Sequence, residues 1–230
     1  MKIKFNLQIL IFIILFIITR QIKIYGILIL FALIHECGHM ITGILLGFKP
    51  LNLEIMPLGV SVSFNVEPKN YNKKIKKGSI LVIKKLIIAL MGPITNLVFV
   101  IFYCINDMKF LGISREFVIY SNILIGLFNL VPIYPLDGGR IVKNIIHIFY
   151  GIKESYKLTN TISNITIILL TAVSSISILY FENIAILIIV VYLWALVIIE
   201  NKKYRNRMII MERVEEERLK KVSKISEVLK

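Results

Sequence analysis

The chain has 230 residues, 57% of them hydrophobic and 18% charged, and a mean hydropathy of +0.79. That composition excludes an ordinary soluble domain and points to a bilayer. The formal charge of +14 in a soluble protein would suggest nucleic acid, and two cysteines are too few for a disulfide scaffold.

Apolar runs predict about six membrane spans, near 5–19, 24–47, 80–105, 117–136, 160–180 and 184–199, each close to the ~20 residues that cross a hydrocarbon core. The first is short and carries Asn6 and Gln8 behind Lys2 and Lys4. Thr19-Arg20-Gln21 offers no small-residue cleavage site, so the run reads as a retained anchor rather than a secretory signal. Arg20 to Lys23 then turn into the second span. With the N-terminus placed in the cytoplasm, 24 of the 28 Lys and Arg fall on the cytoplasmic side and four outside. A bias this strong fits six crossings with both termini cytoplasmic, and nucleic acid is not needed to account for the charge.

After the second span, Leu51 to Val66 alternates apolar and polar residues on both sides of Pro57-Leu58-Gly59, the pattern of a β-hairpin. The fold class predicted is therefore all-α and polytopic, with about six transmembrane helices and one small hairpin after the second. No internal repeat or linker divides residues 1–199. From about residue 200 the composition becomes charged, and Met211, Val214, Val222, Ile225 and Leu229 follow a helical stripe, which predicts a cytoplasmic amphipathic helix over 200–230.

Ionisable side chains inside a span cost at least ~2.5–3.5 kcal/mol each and are functional candidates by default. The second span holds His35-Glu36-Cys37-Gly38-His39, an H-E-x-x-H pattern. Residues four apart share a helix face, so both imidazoles can reach one metal while Glu36 approaches a water beside it. Three histidines and 14 acidic residues in the whole chain make an accidental match improbable, at roughly 0.002. Cys37 points away from that face.

A catalytic zinc takes three protein ligands. Two candidates for the third stand in apolar context, Asp137 and His147. Asp137 belongs to Asn129-Leu130-Val131-Pro132-Ile133-Tyr134-Pro135-Leu136-Asp137-Gly138-Gly139-Arg140, whose prolines and glycines predict irregular backbone, tolerated at membrane depth where it lines a wet cavity.

Taken together, His35-Glu36-Cys37-Gly38-His39, Met91-Gly92-Pro93-Ile94-Thr95-Asn96 and the Asp137-Gly138 element resemble the site-2 protease family of intramembrane zinc metalloproteases, over residues 24 to about 140. Within the family the wording of 129–140 most resembles the subgroup of the stage IV sporulation protein FB, which processes a sigma-factor precursor. The resemblance implies one Zn2+ held by His35, His39 and Asp137, Glu36 as general base, and Asn96 and Asn129 near the site, bonded either to substrate backbone or to neighbouring helices. It implies a membrane-tethered protein substrate, in the subgroup a sigma-factor precursor, and regulatory membrane partners. The subgroup's nucleotide-binding CBS domain has no counterpart in the 30 residues after 200. A rival reading, a metal transporter using the same ligands, calls for repeated halves or a relay of further ligands. With three histidines in the chain, no relay is visible.

Overall fold

The computed structural model describes residues 2–5, 8–18, 20–56, 59–65, 75–181 and 184–228. Among these, six helices and a three-stranded sheet follow in the order β1 (Lys2–Phe5), α1 (Gln8–Ile18), α2 (Ile22–Leu45), β2 (Lys49–Met56), β3 (Gly59–Asn65), α3 (Ile75–Ile105), α4 (Arg115–Leu130), α5 (Asp137–Phe181) and α6 (Ile184–Val228). Three stretches among the described residues are long and apolar enough to cross a membrane, Ile22–Leu45, Ile80–Ile105 and Asp137–Ile176. α1, with 11 residues, and α4, with 16, are shorter than the runs predicted for them. Phe5 leaves the first run and joins residues 2–4 in a strand, and 131–136 leave the fourth as non-helical chain.

The predicted hairpin is present as β2 and β3, antiparallel, with Leu53 opposite Val62 and Met56 opposite Gly59. Pro57 and Leu58 of the expected turn lie outside the described residues, as do Val66 and Leu229. β1 adds a strand that the sequence pattern did not suggest. It runs parallel to β2, with Lys2 opposite Asn52 and Phe5 opposite Ile55, and the strand order is β1-β2-β3. β1 stands before α1, and β2 follows α2. The helical pair therefore leaves the sheet and returns to it.

Two side-chain clusters flank the site. Phe31 and Ala32 of α2, Tyr103 of α3, and Val118 and Ile125 of α4 form one, with Phe99 and Phe110 against it. Ile133, Ile167 of α5, and Val190, Leu193 and Val197 of α6 form the other. Within lipid, such packing is held by van der Waals contact and close backbone approach rather than by transfer from water. The outward faces carry exposed Ile, Leu, Val and Phe side chains, such as Leu97, Ile101, Leu127 and Leu169, as lipid contact requires.

α5 and α6 have 45 residues each. α5 breaks its helical geometry at Gly151, whose φ of 81° lies in the region glycine adopts without strain. α6 runs through residue 200 with no break, so the apolar run 184–199 and the charged tail share one helix.

Candidate metal centre

α2 presents His35 and His39 one helical turn apart on its buried face, each about 2% exposed. Asp137 faces them from the first residue of α5. One carboxylate oxygen, Oδ2, lies 2.9 Å from His35 Nε2 and 2.9 Å from His39 Nε2, and the two Nε2 atoms are 3.2 Å apart. These three side chains can each offer one ligand atom to a common ion.

The partners of the other ring nitrogens fix what those three atoms are. His39 Nδ1 lies 2.6 Å from the carbonyl of Ile88. A carbonyl only accepts, so Nδ1 carries the hydrogen and the Nε2 of a neutral ring presents a lone pair. Asn96 Nδ2 donates to the carbonyl of Asn122 at 3.2 Å, which leaves its Oδ1 to accept from His35 Nδ1 at 3.2 Å. His35 Nε2 is thereby bare as well. Three electron-pair donors thus converge within hydrogen-bond distance, an arrangement that repels itself unless a cation lies among them. A tetrahedral zinc with ligand bonds near 2.0–2.1 Å sets neighbouring ligand atoms about 3.3 Å apart, close to the spacing found. Two imidazoles and a carboxylate are also a donor set suited to zinc.

The Gly92-Pro93 pair in α3 explains how the histidines come so close to another helix. A Cβ on Gly92 would strike the Nε2 atoms of both His39 and His35. Pro93, inside α3, has no N–H to give to the carbonyl of Ala89 four residues back and loosens the turn before it, beside the Ile88 carbonyl that accepts from His39. The sequence element 91–96 thus supplies space, a reachable carbonyl and, in Asn96, a holder for His35. Of that element, the sequence alone points only to Asn96 as lying near the site. The signal for Gly92 was a glycine next to proline inside an apolar helix.

At Asp137 the structure corrects the expectation of irregular backbone through residue 140. The irregular stretch ends at Leu136, and Asp137, Gly138 and Gly139 form the first turn of α5. The turn sits against chain that a side chain would obstruct: a Cβ on Gly138 would overlap the carbonyls of Leu130 and Val131. Arg140, one turn on, lies 3.7 Å from the other carboxylate oxygen of Asp137.

The remaining expected residues fall as follows. Glu36 follows His35, and its Oε2 is buried with no hydrogen-bond partner among the described residues. An orphaned carboxylate oxygen beside three converging lone pairs fits a site built to take a metal and a water. Asn96 is 1% exposed and fully engaged within the protein. Asn129 donates back to Ile125 in its own helix at 3.1 Å. Cys37 is exposed, away from the histidine pair. His147 stands apart from the three-residue cluster and lines a cavity of about 580 Å3. That cavity opens on His39 and runs outward between β3, α3 and α5, past Val62 and Phe64 of β3.

Residues 112–173 match the family model described as peptidase family M50. That segment holds Asp137 and stops short of the α2 histidines. A zinc metalloprotease of Methanocaldococcus jannaschii is 27% identical over 136 residues, which cover 57% of this chain and 36% of that protein. The alignment thus spans little more than a third of the curated relative's length. A solved site-2 protease from the same organism superposes with a TM-score of 0.64 at 21% identity, covering 86% of this chain and 89% of that one. This likeness establishes the fold.

Proposed function

Starting from a chain whose residues 112–173 match the peptidase family M50 model and whose fold is similar to that of a solved site-2 protease, we propose that it is an intramembrane zinc metalloprotease that hydrolyses a peptide bond in or near the membrane segment of a tethered protein. The observation that carries the reading is the meeting of His35 Nε2, His39 Nε2 and Asp137 Oδ2 within 3.2 Å of one another, beside the unpartnered oxygen of Glu36.

Bound by those three ligands, zinc supplies a Lewis acid that polarises the scissile carbonyl and acidifies the attacking water. The chain's residues do the rest. Glu36 takes a proton from that water as its oxygen bonds to the carbonyl carbon. The carboxyl then delivers the proton to the leaving amide nitrogen as the C–N bond breaks, which restores the carboxylate. Asn96 keeps His35 turned so that its Nε2 faces the metal, and the Ile88 carbonyl does the same for His39.

A substrate helix must unwind to be cut. β3 is an outer strand of the sheet, and its Val62 and Phe64 line the cavity that leads to His39. An extended segment added along that edge is held by main-chain hydrogen bonds and directed toward the ligands. The orientation we propose has both termini in the cytoplasm, supported by the Lys and Arg distribution and by the pairing of β1 with β2, which keeps the N-terminus on the side where α2 ends. Residues 1–199 then form the protease domain and 200–230 a cytoplasmic appendage. The substrate proposed first is a sigma-factor precursor, on the resemblance of residues 129–140 alone.

Co-expression of the chain with a panel of membrane-tethered precursors tests the reading, with Glu36→Gln as control. The expected outcome is a product shortened at the cytoplasmic side of its membrane segment, absent with Glu36→Gln although that variant retains its zinc. Equal cleavage by the variant rejects the mechanism. Metal uptake into vesicles without cleavage favours transport instead.

A further inference from the structure

The cavity that opens on His39 has a strongly unequal lining. Lys85 comes from α3 and Arg140, Lys143 and His147 from α5, and no carboxylate lines it among the described residues. The cations are not placed there to satisfy acids. Arg140 has an ion pair with Asp137 at 3.7 Å, and the nearest acid to Lys143, Glu200 of α6, lies outside this cavity and is paired with Arg207 at 4.0 Å. Lys143 Nζ stands 3.8 Å from the ring centroid of Tyr156 and 4.9 Å from that of Tyr134, and Arg207 of α6 stacks 5.1 Å from Tyr156. Aromatic faces hold cations in place without neutralising them. Lys85, Arg140 and Arg207 all repel Lys143, with Glu200 acting in the opposite sense. Lys85 has no hydrogen bond or ion pair among the described residues. Gathering like charges beside an apolar cleft is unfavourable by itself, and it is relieved when an anion enters.

The distances relate this charge to the cleavage site. Lys85 is three residues from Ile88, whose carbonyl holds His39, an axial offset of about 4.5 Å; Lys143 is six residues beyond Asp137, about 9 Å. An extended peptide advances about 3.3 Å per residue. A segment lying along β3 with its scissile bond at the ligands therefore brings side chains one to three residues away to the two lysines.

We propose that Lys85 and Lys143 form a subsite for a substrate carboxylate, so that the enzyme selects tethered segments bearing Asp or Glu within about three residues of the scissile bond. This rests on the proteolytic reading above and adds the substrate's chemistry to it. An anionic lipid headgroup also suits clustered lysines, but the cavity's continuity with His39 and with the β3 edge favours the peptide.

The full chain, reconstituted in phosphatidylcholine vesicles, is given tethered segments with Glu, Gln or Lys scanned through three positions on each side of the scissile bond. The expected result is a kcat/KM for Glu about tenfold above that for Gln at one or more positions, the size of one charge-assisted hydrogen bond in partial contact with water. In Lys85→Glu the order reverses, with Lys preferred over Glu. Each ratio is taken within one preparation, so a loss of folded protein does not move it. Cleavage without preference, or an unchanged ratio in Lys85→Glu, overturns the subsite and leaves proteolysis standing. A rate that responds to phosphatidylglycerol in the vesicles but not to substrate charge makes the cavity a headgroup site and overturns the subsite equally. If wild type and Glu36→Gln both fail to cut every segment, the proteolytic reading falls and takes the subsite with it.

Discussion

Two polar regions a few ångströms apart are built on opposite rules. In the metal centre every imidazole nitrogen has a partner: His35 between Asn96 and Asp137, His39 between Ile88 and Asp137. The participants are almost fully buried. In the cavity wall Arg140 reaches back to Asp137, Lys143 rests on tyrosine rings and Lys85 has no hydrogen bond or ion pair among the described residues, and their side chains are half-buried or exposed. Rings held by a buried hydrogen bond on the Nδ1 side and converging on one point on the Nε2 side fix geometry, which bond hydrolysis needs. Unsatisfied charge with room to move adapts to different occupants, as recognition needs. The same two helices, α3 and α5, contribute to both, and the rule changes within about one helical turn.

Substitutions test that contrast, from the harshest to the mildest. Asp137→Ala removes one of three ligands; it is expected to abolish zinc retention after purification and with it all cleavage. Elemental analysis alongside the cleavage assay reads both, and full zinc content in the variant removes Asp137 from the ligand set. Asn96→Ala leaves the ligands but frees His35 to turn, and a loss of about 10–100-fold in zinc affinity or activity is expected. Asn129→Ala, whose amide donates within its own helix to Ile125, is expected to retain most of its zinc affinity, so equal losses in the two variants would break the distinction. Val62→Pro disturbs the strand beside the cavity without touching the centre. Cleavage is expected to fall several-fold to tenfold, the worth of about one hydrogen bond, with zinc content unchanged; undiminished cleavage disposes of the strand edge as a substrate guide. At the mild end, Lys153 and Glu215 form an exposed pair 3.0 Å apart, and Glu215→Gln is expected to leave stability almost unchanged because solvent screens the pair. Thermal unfolding in detergent measures it, and a much larger drop would mean that the tail packs more tightly than its exposure indicates.

What the sequence disclosed follows from how local each feature is. His35, Glu36 and His39 are readable because four residues on a helix fix a shared face whatever the surroundings. The hairpin is readable because both strands alternate and lie side by side in the chain. β1 was not, since four residues pair with a strand about fifty positions away and no local pattern announces that. The start of α5 at Asp137 was misplaced because prolines and glycines weigh against helix, whereas Gly138 is needed for the close pass against Leu130. Gly92 carries no chemistry of its own, and its part appears only when two helices are seen in contact. Lys85 and Lys143, nearly sixty residues apart, read as orientation signals among many basic residues. The wall they share is a tertiary property.

The unbroken course of α6 has a mechanical consequence. Forty-five residues at 1.5 Å each make a rod of about 67 Å, while the hydrocarbon core is about 30 Å thick. With the expected span 184–199 in the lipid, more than thirty ångströms of the helix would project beyond the core, with no break between the two parts. The rod touches α5 at Asn164, Tyr156 and Lys153, through Asn201, Arg207 and Glu215. With no break in α6 between Glu215 and Arg207, a displacement of the tail is expected to reach Tyr156, the ring on which Lys143 rests.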